Sequence, residues 1–370
     1  MGKGKKIILN ILSLVIIIFI LNLVLFHGSK KGEDNNDTDI TSESSKKVEY
    51  SFGVLSDIHL LDKIYKDNGN YTGASQCVNS LENYQKALKF FNDKGTEFVC
   101  VVGDIIAKNN SSNGTEEEDM NEWISEVSLF AQYNSQYYKN PVYATTGNHD
   151  ALVTPADNMG LGKIITTYGD GRKTAEEVWT EIVGENPSFV FEKDNDVFIF
   201  FIEYYWNYVN FCRDEDIEWL RIQLDKYKNK RVFLFAHLLL DDTYDVGSGS
   251  GMIMTNPPAG RSKDMKELAL SYPNVIWFNG HSHYDMSYEG KEGFMNPNLY
   301  QSGDSMTMVH VPACSYLRVL KEGGGHDNVD GSQGLWVDVY NDKIAIKGID
   351  FTKGNGGIFI PKVDYEVKWP

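Results

Sequence analysis

Five short motifs place histidine, aspartate and asparagine side chains directly after apolar runs of the chain. In sequence order they are Asp57-Ile58-His59, Gly103-Asp104, Gly147-Asn148-His149-Asp150, His237 and Gly280-His281-Ser282-His283. Imidazole suits zinc, iron and nickel, whereas carboxylate and amide oxygens suit harder ions such as Mn²⁺. The motifs therefore predict a site for first-row divalent metals (Mn, Fe, Zn or Ni) that needs no cysteine ligand.

Two ions that share one carboxylate would fit this set of side chains. A pair of metal ions about 3.5–4 Å apart can hold a hydroxide and stabilise both the attacking and the leaving oxygen of an in-line displacement. The formal charge of the chain is -17, from 35 basic and 52 acidic residues. A phosphate-bearing substrate thus needs a local positive centre, which bound cations supply. The same charge argues against non-specific binding to nucleic acid.

Alternating helices and strands must position the motifs. The alternation of apolar residues from Val48 to Val54 predicts a first strand, and a helix from Asn79 with a stop at Gly95 leads to the apolar strand 98–102. Further helices are predicted at Met120–Tyr138, Ile217–Leu224 and Lys263–Ala269, and further strands at Val142–Thr145, Val232–Ala236 and Val275–Phe278. This alternation is typical of an α/β domain with buried, largely parallel strands.

Every motif falls at the predicted carboxyl end of a strand, which is the edge where open α/β sheets bind ligands. We therefore expect the strands of one sheet to bring the five motifs together. From Thr307 onward the pattern changes to strands separated by turns, with a hairpin turn at Asn341-Asp342, and predicts an antiparallel edge of the same fold.

The ordered set of motifs resembles the calcineurin-like metallophosphoesterases, and the resemblance runs from Val48 to the C-terminus. It implies an α/β fold of two mixed β-sheets packed as a sandwich and flanked by helices, with metals at the sheet edge. One metal would be held by Asp57, His59, Asp104 and His283, and the other by Asp104, Asn148, His237 and His281. Asp104 would bridge the two ions, and a hydroxide that also bridges them would attack phosphorus. His149 would protonate the leaving group, and Asp150 would orient its ring.

The residues that follow Asp104 differ from those of two subgroups of the family, which narrows the predicted activity. Asp104 is followed by Ile105-Ile106-Ala107, without the Asp-Arg-Gly extension of protein serine/threonine phosphatases. Ala107 stands where purple acid phosphatases have a tyrosine. The remaining similarity is to exported or membrane-anchored bacterial-type enzymes that hydrolyse phosphomonoesters or phosphodiesters. Two alternatives stay open: a membrane-anchored module that binds a phosphate ligand around a structural metal site, and a hydrolase of non-phosphate esters.

The N-terminal region predicts a membrane anchor. Residues 7–26 form an apolar run that follows Lys3, Lys5 and Lys6, and its length suits a transmembrane helix. We expect an anchor at residues 1–27, a flexible polar linker at 28–47 and a phosphoesterase domain at 48–370. The domain would face outside the cytoplasm, toward small phosphoesters or a cell-envelope substrate. Secretion after signal cleavage is the alternative.

Several features outside the motifs have more than one interpretation. The tract Tyr204-Tyr205-Trp206-Asn207-Tyr208 either packs, which we favour, or lines a substrate pocket. The loop 246–252 either covers the site or is a plain solvent loop. His310 lies in an apolar run, where a structural role is expected. The four cysteines show no metal-binding or disulfide pattern, and Cys100 is expected to be buried.

Overall fold

The computed structural model describes residues 47–61, 66–67, 70–71, 75–107, 115–151, 160–207, 209–239, 260–287, 299–300, 305–321 and 326–369. The predicted anchor at residues 1–27, the linker up to residue 46 and the loop 246–252 lie outside these ranges. None of the helices that the structure describes is both long enough and apolar enough to cross a membrane.

Helices and strands alternate through most of the described chain. The helices are α1 (Ser80–Lys94), α2 (Glu116–Tyr137), α3 (Ala175–Val183), α4 (Asp214–Lys226) and α5 (Gly260–Ser271). The strands are β1 (Tyr50–Leu55), β2 (Lys66–Asp67), β3 (Asn70–Tyr71), β4 (Val99–Val102), β5 (Val142–Thr145), β6 (Ile164–Ile165), β7 (Lys173–Thr174), β8 (Phe189–Lys193), β9 (Asp196–Phe200), β10 (Arg231–Phe235), β11 (Val275–Asn279), β12 (Leu299–Tyr300), β13 (Thr307–His310), β14 (Tyr316–Leu320), β15 (His326–Asp330), β16 (Gln333–Val339), β17 (Lys343–Asp350) and β18 (Ile358–Lys368). The predicted stop at Gly95 is confirmed, since this residue ends α1 in the left-handed conformation with φ 81°.

Two mixed six-stranded sheets contain most of the strands. Their orders are β18-β17-β16-β1-β4-β5 and β12-β13-β11-β10-β9-β8. The expectation of one sheet is wrong: three motifs follow β1, β4 and β5 of the first sheet, and two follow β10 and β11 of the second. The strand β5 forms one edge of the first sheet, and the strands that follow it from β8 to β13 form the second sheet. The strand at Thr307 also differs from expectation, because β13 pairs in parallel with β11. The hairpin at Asn341-Asp342 is confirmed between β16 and β17.

The sheets pack face to face, with helices on the outer faces. Along β4, Val99 and Val101 belong to the core shared with α1 and α2, whereas Cys100 and Val102 face the second sheet. This period of two is the side-chain alternation of a strand that is buried on both faces. Rings fill the space between the sheets, and the Phe52 ring lies 5.5 Å from that of Phe233, edge to face. The four layers hold the ends of β1, β4, β5, β10 and β11 at one edge.

At the opposite ends of these strands, a buried ion pair within the second sheet is linked to the first sheet by a tyrosine. Arg231 begins β10 and donates from Nε and Nη2 to Asp196, at 2.8 and 2.6 Å, and Tyr50 of β1 donates to the same carboxylate at 2.5 Å. Replacing Arg231 by methionine would leave this buried carboxylate without its cation. Removing one partner of such a pair costs about 3–5 kcal/mol.

We therefore expect Arg231→Met to lower the free energy of unfolding by about that amount in a urea titration. Lys230→Met is the matched control, because the Lys230–Glu192 pair is exposed and such pairs contribute about 0–1 kcal/mol. Equal effects of the two substitutions would contradict the structural role of Arg231.

Candidate metal centre

The loops that follow the motif-bearing strands are joined by backbone hydrogen bonds. Asp57 N–H donates to Gly103 O at 3.1 Å, and His59 N–H donates to Asp104 O at 3.0 Å, so the first two motifs run side by side. In the second sheet, Gly280 N–H donates to His237 O at 2.9 Å. The motif residues therefore sit on connected backbone rather than on independent loops.

Left-handed backbone is concentrated at these residues. Of the non-glycine residues with positive φ in the described chain, five come from the motifs: Asp57 (51°), His59 (48°), Asp104 (50°), His281 (68°) and His283 (59°). This conformation costs about 1–3 kcal/mol for a residue with a side chain, and persists where the surrounding structure enforces it. Such strain is typical of functional sites. Here it aims side chains from several strand ends at one point.

The side chains of the motifs form overlapping groups of potential metal ligands. One ligand atom from each of Asp57, His59 and His283 lies within 4.8 Å of the others, and the same holds for Asp104, His237 and His281. The groups approach each other closely. Asp104 Oδ2 is 3.1 Å from His237 Nε2 and 3.8 Å from His59 Nε2, so this carboxylate stands between them.

Hydrogen bonds from Nδ1 to backbone carbonyl groups orient three of the histidines. His237 Nδ1 donates to Val102 O at 2.6 Å, His59 Nδ1 to Ile106 O at 3.3 Å, and His283 Nδ1 to Tyr316 O at 3.1 Å. The Nε2 lone pairs are left for the centre. A metal-bound histidine is held in this way, with its second nitrogen bonded to a backbone carbonyl.

Burial and mutual charge shift the ionisation of the centre. Burial alone would lower the pKa of His237, but the carboxylates of Asp104 and Asp57 raise it well above its ordinary value. Burial likewise opposes ionisation of both carboxyls, yet the neighbouring histidines hold their pKa well below the usual range. Two ionised carboxylates buried together need positive charge beside them. A proton on His237 or a metal cation meets that need.

The donor set fits divalent cations. Nε2 lone pairs of His59, His237 and His283 lie 2.9–3.8 Å from carboxylate oxygens, an arrangement of acceptors that a cation stabilises. The amide of Asn148 is 1% exposed, and neither its Oδ1 nor its Nδ2 has a hydrogen-bond partner among the described residues. A buried amide without partners is costly, and a metal ion bound at Oδ1 would remove part of that cost.

The family is established by the sequence. The model of the calcineurin-like phosphoesterases matches residues 50–285, which include all five motifs. The chain belongs to the calcineurin-like phosphoesterase family. A search of curated proteins gave no match.

A solved structure shows the same fold. A dimetal phosphatase from Danio rerio is similar over 88% of this chain and 100% of its own, with a TM-score of 0.51 and 11% identity. Vacuolar protein sorting 29 from Cryptosporidium parvum is similar over 87% of this chain and 100% of its own, with a TM-score of 0.36 and 10% identity.

Asp150 of this phosphoesterase does not orient the ring of His149, contrary to expectation. Its Oδ1 accepts from the N–H groups of Ile105 and Ile106, at 2.9 and 3.1 Å, and its Oδ2 accepts from Gly147 N–H at 2.8 Å. These bonds use both carboxylate oxygens and tie the loop after β4 to the loop after β5. Asp150 thus positions the backbone that follows Asp104 and the backbone that precedes Asn148.

His149 is held by contacts other than Asp150. Its Nδ1 donates to Ala107 O at 3.1 Å, its ring meets that of His59 edge-on at 4.6 Å, and Trp206 packs against it at 4.6 Å. Burial lowers the pKa of His149 to about 4. The side chain is half-buried, and Nε2 is the ring atom left to exchange a proton with a ligand.

Sequence reasoning missed several residues behind the metal-binding loops. Tyr316 stacks on His283 with ring centroids 4.2 Å apart. Glu203 is buried, which raises its pKa to about 8, and its Oε1 accepts from Leu238 N–H at 2.6 Å, next to His237. No motif marks these positions. His310 is buried with Ser282 Oγ 3.3 Å from its ring nitrogens, which fits the structural role expected for it.

Ser315 braces the strained backbone of Asp57. Its Oγ donates to Asp57 O at 2.8 Å, and its own carbonyl accepts from Asn83 of α1 at 3.1 Å. Loss of such a supporting bond weakens metal affinity by about 10- to 100-fold. We expect Ser315→Ala to weaken Mn²⁺ binding by about 10-fold in calorimetric titrations.

Ser80→Ala provides the control for this prediction. Ser80 is also buried, and its hydroxyl has no hydrogen-bond partner in the described part of the chain. Wild-type Mn²⁺ affinity in Ser315→Ala would show that the Asp57 loop does not depend on this hydroxyl.

Proposed function

We propose that this phosphoesterase hydrolyses phosphomonoesters or phosphodiesters at a binuclear metal centre. The observation that carries the proposal is the position of Asp104 between two groups of ligand atoms, beside a half-buried histidine. The Asp57, His59, Asp104 and His283 side chains would hold one divalent ion, and Asp104, Asn148, His237 and His281 the other. When bound, such ions polarise phosphoryl oxygens and lower the pKa of a water from 15.7 toward about 7.

The protein's own groups complete the reaction. Asp104 keeps its Oδ1 fixed by His149 N–H at 2.7 Å, so its other oxygen faces the centre in a set orientation. Because Nδ1 of His149 is committed to Ala107 O, Nε2 would be the atom that protonates the departing alkoxide, once the negative charge of a bound phosphoester raises the pKa of the ring and Nε2 takes up a proton from solvent. A positioned acid of this kind contributes about 10²–10⁴-fold.

A substrate panel tests this function. The full-length protein, purified in detergent because of its apolar N-terminal run, would be assayed with Mn²⁺, Zn²⁺, Fe²⁺ or Ni²⁺ on p-nitrophenyl phosphate, bis-p-nitrophenyl phosphate, a pyrophosphate ester and p-nitrophenyl acetate. We expect metal-dependent hydrolysis of at least one phosphoester. Turnover of the acetate alone would favour the non-phosphate esterase. Metal binding without turnover of any substrate would favour the binding module.

We also propose that residues 1–27 anchor the enzyme in a membrane, with the domain from residue 48 outside the cytoplasm. The apolar run at 7–26 and the preceding lysines support this. In intact cells, added protease is expected to cleave the linker at 28–47 and release an active domain. Protection from protease, or recovery of the intact chain in a soluble fraction, would contradict the anchor and its orientation.

A further inference from the structure

The indole of Trp206 lies directly against the candidate general acid. Its ring centroid is 4.6 Å from that of His149, with the planes at 51°. Both side chains are half-buried, whereas Asp57, His59, Asp104 and the other motif ligands are buried. Trp206 and His149 thus lie where the centre opens to solvent.

The loop that carries Trp206 is held in place on both sides. Tyr204 N–H and Tyr205 N–H both donate to Phe211 O, at 2.7 and 3.0 Å, and close the loop. Asn207 Oδ1 accepts from the backbone N–H groups of residues 209 and 210, at 2.9 and 3.0 Å. The buried Tyr204 ring packs under the Arg213 guanidinium at 4.2 Å. The backbone that carries the indole is therefore ordered, which lowers the ordering cost when a ligand binds there.

Within the aromatic tract, Tyr204 and Trp206 correspond to different interpretations, one to packing and the other to a substrate pocket. Tyr204 packs in the core shared with α3, as favoured from the sequence. Trp206 instead borders the centre. A leaving oxygen that takes a proton from His149 must come within about 2.6–3.2 Å of its Nε2. The carbons attached to that oxygen then reach the neighbouring indole.

We propose that Trp206 is a specificity-determining residue that favours phosphoesters whose leaving alcohol carries a planar aromatic ring. An indole face is large and apolar, and it pairs with another ring by stacking or edge contact, to an extent that depends on aromaticity rather than on size alone. The inference rests on the proposed function, because it takes His149 as the residue at the leaving group.

A matched pair of substrates isolates the effect of the ring. Benzyl phosphate and cyclohexylmethyl phosphate have leaving alcohols of similar size, and only the first is aromatic. For the Mn²⁺-loaded full-length enzyme we expect kcat/KM to favour the benzyl ester by about threefold to tenfold. Trp206→Leu should abolish this preference and Trp206→Phe should keep part of it. Trp219→Leu, which removes a half-buried tryptophan of α4, should leave it intact.

Two results would overturn the proposal. One is an unchanged preference in Trp206→Leu. The other is an equal fall in kcat for both esters, since that would mean Trp206 only positions the His149 ring.

Binding of benzylphosphonate and cyclohexylmethylphosphonate, which are not hydrolysed, separates this proposal from the proposed function. If no ester is turned over but the wild type prefers the benzyl compound and Trp206→Leu does not, the subsite stands and the hydrolase function falls.

Discussion

Asp104→Asn is expected to lose bound metal and hydrolytic activity together. Oδ2 of Asp104 approaches ligand atoms of both groups, at 3.1 Å from His237 and 3.8 Å from His59, so in the proposed binuclear centre the substitution would remove an anionic ligand from both ions at once. Bound metals stabilise charge in the transition state by several kcal/mol, which corresponds to a loss of activity of about 10³-fold or more.

The substitution is conservative in shape, so its effect should not arise from misfolding. Asparagine retains an oxygen that can accept the His149 N–H bond, and circular dichroism should match the wild type. Asp338→Asn is the control, because Asp338 is also mostly buried but accepts from Ser51 and Trp336 far from the centre. Metal content would be measured by mass spectrometry alongside hydrolysis. Two ions per chain and full activity in Asp104→Asn would remove the bridge assignment.

His149→Ala should slow hydrolysis of alkyl esters by about 10²–10⁴-fold and hydrolysis of p-nitrophenyl esters much less. The reason is that an alkoxide leaves only when protonated, whereas nitrophenolate leaves without a proton. The ring is held by Ala107 O, His59 and Trp206, so its loss removes one positioned proton donor and one hydrogen bond between the loops, while the bonds from Asp150 that tie the same loops together remain.

His326→Ala provides the control for this prediction, since His326 lies on the outer strand β15 and should leave both rates unchanged. An equal fall for both classes of ester would contradict the general-acid role. Metal analysis also distinguishes a general acid from a metal ligand, because ligand atoms of His59, Asp104 and His149 lie within 4.8 Å of one another. Loss of an ion from His149→Ala would make this histidine a ligand instead.

The sequence predicted where each motif would lie, because strand ends follow from local patterns. Short apolar runs before Asp104 and His281, bounded by glycines, are visible in the chain itself and place both side chains at a sheet edge. The sequence did not show that these strand ends belong to two different sheets. It depends on which strands pair across long stretches of sequence, and the pairing of β1 with β16 joins residues almost 300 positions apart.

Supporting residues were harder to predict than ligands for the same reason. Ser315 and Tyr316 reach the Asp57 and His283 loops from β14 and the turn before it, and no spacing relates them to those motifs. Asp150 lies within a motif, yet its partners are backbone N–H groups, which every residue but proline carries and no sequence pattern marks. The His149 contact with Trp206 likewise depends on the folded loop.

The most direct test of the account is a metal titration of the apoenzyme. The full-length protein would be stripped with a chelator, dialysed and titrated with Mn²⁺ while phosphoester hydrolysis and bound metal are followed together. We predict no hydrolysis by the stripped protein, and activity that rises to a plateau as two ions bind per chain. Full activity in the stripped protein, with no metal detected, would contradict a metal-dependent phosphoesterase.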